Sequence, residues 1–375
     1  MKLRGLTFIL SVCLITLIFI ACKKKAKDKT EEEETKFDKP AMLANCADNV
    51  IIPNFQAFKS AMDSLVYSFT AFTQSKDVAT LTTLRQKYIT AIIKFQHIST
   101  FEFGPSESEI VRSNFNTYPT NTLTINSNIS SGSYNLGTVS NLDAKGFPAL
   151  DYLIFGKNET DASLIALFDT DPKAANRIAY VTACLSEMQT KTNSIVSAWN
   201  NSYRNTFVGS TGSQIGSSLG LLVNQLNFEI DLLKNAKIGI PLGKKSLGVT
   251  LPEKCEAFYA NSISIKLAKE CLANIEDVYL GRSTAGADGK GLDDLLESID
   301  AMHGSEPLNA AIKNQFAVTQ SKLNLVAEPL SSSVNNATST VDAAYLEMVK
   351  LLVLLKTDTP SALGIVITYQ DGDGD

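Results

Sequence analysis

Apolar residues recur at alternating spacings of three and four along most of the chain. Phe55, Phe58, Met62, Leu65, Phe69 and Phe72 form one seam, and Leu81, Leu84, Tyr88, Ala91, Phe95 and Ile98 form the next. Residues so spaced share one face of a helix, so each seam predicts an amphipathic helix. Asp77 stands between them as a candidate N-cap, which makes the pair a helical hairpin. A third seam runs through Ile178, Val181, Leu185, Met188, Thr192, Ile195 and Trp199, opened by Asp171-Pro172, with the proline suited to the first helical position. Three more follow: Leu219, Leu222, Leu226, Ile230 and Leu233; then Leu308, Ile312, Phe316, Leu323, Val326 and Leu330; then Val341, Ala344, Tyr345, Met348, Leu351 and Leu355. Helices with one apolar stripe each must bury it against one another. The pattern predicts an all-α chain of two four-helix-bundle-like units, over residues 45–205 and 206–375.

The seams are interrupted from Asn116 to Lys145, a stretch crowded with Asn, Ser, Thr and Gly. Connections of that length without structure are uncommon inside compact domains and are usually functional or disordered. A second interruption, "GSTGSQIG" from Gly209 to Gly216, lacks the Gly-Lys-Ser/Thr ending of a phosphate loop and follows a helix instead of a strand, so it reads as a turn between the two units.

The N-terminus sets the compartment. Lys2 and Arg4 precede an apolar run from Leu6 to Ile20, too short to be a comfortable membrane span, and the run ends in Ala21-Cys22. This resembles a lipobox, with residues 1–21 as signal peptide and Cys22 as the lipidated residue. An uncleaved anchor or an ordinary signal peptide is the alternative, and both also export the body. Residues 22–44, which hold Lys23 to Lys25 and Glu31 to Glu34, have little to bury and read as a disordered tether. The expected location is the cell envelope, attached to the outer membrane through the lipid. A net charge of -5 gives no nucleic-acid footprint. Cys46, Cys184, Cys255 and Cys271 contain no Cys-x-x-Cys pair; an oxidising envelope permits disulfides, and single buried thiols are the simpler reading.

The most informative stretch is "GFPALDYLIFG", Gly146 to Gly156. Local chemistry alone accounts for it: Gly146 permits a turn, Pro148 suits a helix start, Asp151 meets the positive end of the helix dipole, and Gly156 supplies a left-handed stop. Gly146, Phe147, Asp151, Tyr152, Leu153, Phe155 and Gly156 also resemble the Gly-x-His-x-x-Glu segment of the imelysin family. "FEFGP" at Phe101, "NTYPT" at Asn116, "IGIPLG" at Ile238, "PEKCEAFYANSIS" at Pro252, "VYLG" at Val278, "GLDDLL" at Gly291 and "ITYQDGDGD" at the C-terminus resemble the same family, in the expected order.

The resemblance implies two helical bundles with a site at their junction, an exported or lipid-anchored protein, a link to bacterial iron uptake, and a historical label of metallopeptidase (peptidase M75). The label meets an obstacle here. His and Glu three apart on a helix converge on one cation, whereas this chain has Pro148 and Asp151 at those positions, so one carboxylate remains. Its only histidines, His97 in "KFQHIS" and His303 in "MHGS", lie in no zinc spacing and read as a helix-packing residue and a last-turn residue. Asp371, Asp373 and Asp375 alternate with glycine as a calcium loop does but lack the later glutamate.

The expected function is therefore a non-catalytic, imelysin-like envelope lipoprotein linked to iron or haem uptake. Its ligand would lie in a polar cleft between the two bundles, walled by the Asn116 to Lys145 stretch and lined by Gly146, Pro148, Asp151, Tyr152, Glu256 and Ser262. No catalytic residue is assigned, and Asp151 is the one candidate toward iron or another divalent cation. The lipid would be its link to the membrane, and iron- or haem-uptake components its protein partners. The alternatives are a metal-dependent peptidase with an altered ligand set and a scaffold that binds a partner protein.

Overall fold

The computed structural model describes residues 37–369. Cys22, the signal peptide and the Asp371, Asp373 and Asp375 tail lie outside the described residues. Eight helices carry the body: α1 (Ile52–Ser75), α2 (Val78–Gln96), α3 (Gly146–Phe155), α4 (Ala174–Ala198), α5 (Ser218–Leu232), α6 (Ser264–Tyr279), α7 (Leu308–Asn324) and α8 (Thr338–Val353). The only strands among the described residues are the two-residue pair Met302–His303 and Glu306–Pro307.

Each seam is a buried face, with Tyr345 of the last one only half-buried. All six seam positions of α1 and all six of the following seam, ending at Ile98, are in the core. Asp77 caps α2 as expected: its carboxylate accepts from Thr80 N at 2.8 Å, and Lys76 ahead of it turns the chain with φ 48°. α4 packs along α1 to complete the first bundle, and α5, α6, α7 and α8 make the second. In α4 Ile178 is only half-buried, and Tyr180 beside it takes the core position. The helix begins at Ala174, with Lys173 as its N-cap, so Pro172 lies outside it.

Three expectations change. The part of the tether from Lys39 on is helical (Lys39–Asn45) with Met42 and Leu43 buried, because those two side chains supply the apolar surface that the charge run before them lacks. The boundary expected between residues 205 and 206 falls inside a continuous helical path, since α4 runs on through a wide turn at Trp199–Tyr203 into Arg204–Gly209. Residues 39–369 form one compact unit. The polar stretch Asn116 to Lys145 is also structured. A helix at Thr122–Ser131 starts on Asn121, whose side chain accepts from Thr124 N at 3.1 Å, and seats Ile125 and Ile129 in the core. Two apolar residues one turn apart suffice to anchor an otherwise polar segment.

The halves meet along α2, the turns that follow it, α5 and α6. His97, which caps the end of α2, bonds Glu270 at 3.0 Å, and Asn274 Nδ2 donates to Thr100 Oγ1 at 2.9 Å. At the start of α6, Glu328 comes back from much later in the chain: its carboxylate accepts from Ile265 N at 2.6 Å and Lys266 N at 3.1 Å, filling the place of an N-cap. Cys46, Cys184, Cys255 and Cys271 are all free and buried. No helix among the described residues is long and apolar enough to cross a membrane.

Candidate functional site

Two adjoining cavities lie at this junction. The larger, about 420 Å³, is walled by Phe95 at the end of α2, Arg112, Ser113 and the run Asn116 to Pro119, and Glu229, Leu232 and Lys237 on α5 and its extension. The smaller, about 30 Å³, shares Tyr118 and Pro119 with it and reaches Pro148, Asp151 and Tyr259. α5 extends into the large cavity's wall through a wide helical turn at Leu233–Gly239, in which Ile240 N donates to Asn235 O five residues back at 2.7 Å. Such turns are often found at functional sites.

Behind the large cavity lies a buried polar network. Lys237 Nζ donates to Glu256 Oε2 at 2.6 Å and to Gln96 Oε1 at 2.8 Å; Gln96 Nε2 and Asn116 Nδ2 both donate to Glu256 Oε1, at 3.1 and 2.6 Å. Three separate chain segments thus close on one carboxylate. Burial by itself would lower the Lys237 ammonium, but Glu256 and, more weakly, its other neighbours hold it above the ordinary lysine value. Two turns earlier on the same helical path, Glu229 accepts from Ser99 Oγ at 2.6 Å and pairs with Arg112 Nη2 at 3.4 Å. Arg112 is fixed in turn: its guanidinium lies over the Phe228 ring at 4.5 Å, and its backbone N–H donates to Glu102. Burial pushes the Glu102 carboxyl up to about 7 in spite of Arg112.

Of the six expected cleft residues, Pro148 and Asp151 line the small cavity. Asp151 is not a helix-start carboxylate, because α3 begins at Gly146 and Asp151 is already in its second turn. Its two oxygens instead accept from Tyr259 N at 2.8 Å and Ala260 N at 2.9 Å, tying the first half to the second. Burial pushes its carboxyl up to about 7, opposed by those two N–H donors. Gly146 is held at φ 70°, and a Cβ there would lie 2.4 Å from Phe115 O, so the position needs glycine. Tyr152 lines neither cavity; its hydroxyl bonds Asn126 and its ring packs on Tyr259 at 5.2 Å. Glu256 is buried at the centre of the network. Ser262 is exposed and, among the described residues, bonds only Ala260 O, at 3.3 Å, while the buried serine of that segment is Ser264.

A model of the imelysin family, peptidase M75, matches residues 51–355. The chain belongs to that family. Two solved structures share its fold: a Parabacteroides distasonis protein assigned as an iron-regulated protein A precursor (16% identity, TM-score 0.71, covering 90% of this chain and 97% of that one) and an imelysin-like protein from Psychrobacter arcticum (17%, 0.67, 88% and 97%). No curated protein matches.

The metal pair of the imelysin motif does not fit these residues. Proline offers no donor at 148, and both oxygens of Asp151 are engaged by backbone N–H groups that a cation would have to displace. Among the described residues no group of three or more His, Cys, Asp and Glu is placed to hold a metal. His97 is paired with Glu270, and His303 with Asp358 at 2.9 Å. His303 sits on the short strand pair and not in a last helical turn, because the helix before it ends at Ser298.

Sequence reasoning missed Gln96, Glu229 and Lys237, whereas Asn116, at the start of the polar stretch, lines the large cavity. Two of them left a signal: Glu229 lies three residues after Leu226, and Lys237 four after Leu233, so both occupy seam positions where an apolar residue belongs. A charge on the buried stripe of a helix needs a partner and marks a candidate site.

Proposed function

We propose that this imelysin-family protein is a non-catalytic binding protein of the cell envelope, lipid-anchored to the outer membrane through Cys22 and serving iron or haem uptake. Its ligand occupies the large junction cavity. The observation that carries the reading is this cavity of about 420 Å³, which has walls from both halves and lies on a charged network already satisfied from behind. That size falls within the range of small-molecule sites. The position of Asp151 supports a binding role over a peptidase one, because a carboxylate that holds two backbone N–H groups is a structural tie and not a general base waiting for water. The fold shared with an iron-regulated protein supports the uptake link.

The test is to fill the cavity in the native host. Ala236 and Ile240 line it, and Ala236→Trp and Ile240→Phe place a ring inside. Under iron limitation, cells carrying either variant at normal abundance should show the same several-fold loss of cellular iron as a deletion strain. Unchanged iron content with a folded, abundant variant overturns the proposal.

A further inference from the structure

The cavity wall carries an uncompensated positive charge. Lys237 is paired with Glu256 and Arg112 with Glu229, which leaves Lys254, also on the wall, with no acid partner among the described residues. Arg112 directs Nη2 to Ser99 O, Gln225 and Glu229, and its Nη1 has no acceptor among the described residues. The cavity therefore offers donors and net positive charge, which suit an anion.

Two further groups define the other end of the ligand. Asn116 must point Nδ2 at the Glu256 carboxylate, so its Oδ1 faces away, buried and without a partner among the described residues. A buried acceptor left unmade is costly, and a ligand N–H or O–H would satisfy it. The Tyr118 phenol, also on the wall, is held above its ordinary value by burial, and so remains a donor at neutral pH. Between these polar points the surface is apolar, from Phe95, Leu232 and Ile240.

Building on the binding role proposed above, we infer that the cavity takes a small organic carboxylate with a flat apolar body and a hydroxyl donor, the class of the hydroxybenzoates. The carboxylate is drawn by Lys254 and Arg112, the body lies against Phe95, Leu232 and Ile240, and the hydroxyl donates to Asn116 Oδ1. A metal aquo ion, a simple cation and an uncharged sugar each leave one of these features unused.

Calorimetry on the full chain with 4-hydroxybenzoate and its neutral analogue 4-hydroxybenzamide tests this. The carboxylate should bind one to one and roughly tenfold or more tighter than the amide, the ratio expected for one hydrogen bond to a charged group. Lys254→Gln, on a half-buried side chain, should keep the melting temperature and lose most of that preference. Ala236→Trp should abolish binding of both compounds. Equal affinity for the two, binding that survives Ala236→Trp, or no binding of either overturns the inference. If binding fails while the cavity-filled strains still lose iron, the ligand class falls and the uptake role stands. Binding without any cellular effect supports the ligand class and removes the uptake role.

Discussion

The Lys237 ammonium lies 2.6 Å from the Glu256 carboxylate, and both side chains are almost wholly out of solvent. Removing one member of such a pair strands the other as an uncompensated buried charge. Lys237→Met and Glu256→Gln should each lower unfolding free energy by about 3 to 5 kcal/mol. The double variant should cost markedly less than the sum. Urea melts of the four proteins measure the coupling, and strict additivity would mean the pair is not energetically joined.

The Asp151 tie makes stability depend on pH. Its carboxyl is raised above the ordinary aspartate value to about 7 in the folded protein. The sign follows: a raised value contributes stability that is full below the ordinary aspartate range and is lost as pH rises through about 7. Asp151→Asn, which does not titrate, should therefore show a shallower decline between about pH 4 and 7. Glu102, raised to about 7 as well, keeps its share of the slope in the variant. Denaturation midpoints across that range read the difference, and parallel curves for the two proteins would refute it.

Restoring the family's metal pair should not restore a metal site. In Pro148→His with Asp151→Glu, the carboxylate still faces the Tyr259 and Ala260 amides, and no third donor stands ready among the described residues. Zinc titration should give no stoichiometric binding tighter than about micromolar, near -8 kcal/mol. A tight one-to-one site would reveal a further ligand.

Cys22→Ser should move the protein from the detergent phase to the aqueous phase while its circular dichroism stays unchanged. Continued partitioning into detergent would rule out the lipid at that residue.

Periodicity makes the buried faces legible in the sequence, because it reports one helix and its environment together, and Phe58 or Leu226 has no other reason to recur as it does. The site is harder to read. Glu256 stands out from its motif, yet its partners Gln96, Asn116 and Lys237 come from segments far apart in the chain, and spacing cannot bring them together. Asp151 reads as a dipole residue because its true partners are backbone groups more than a hundred positions away, which carry no residue-type signal at all. Ser262 is exposed two positions before the head of α6, and neither it nor the buried Ser264 lines either junction cavity.

Glu328 at the head of α6 gives the molecule an order of assembly. The chain is made from its N-terminus, so Asp151 exists before the amides it holds at Tyr259 and Ala260, whereas Ile265 must wait for a carboxylate 63 residues behind it. The head of α6 is thus capped only once Glu328 has left the ribosome. Nascent chains stopped before residue 328 should remain open to protease around Ser264 when the α1–α2 hairpin is already protected. Synthesis itself therefore fixes when the head of α6 is capped, after every residue that lines the junction cavity has been made.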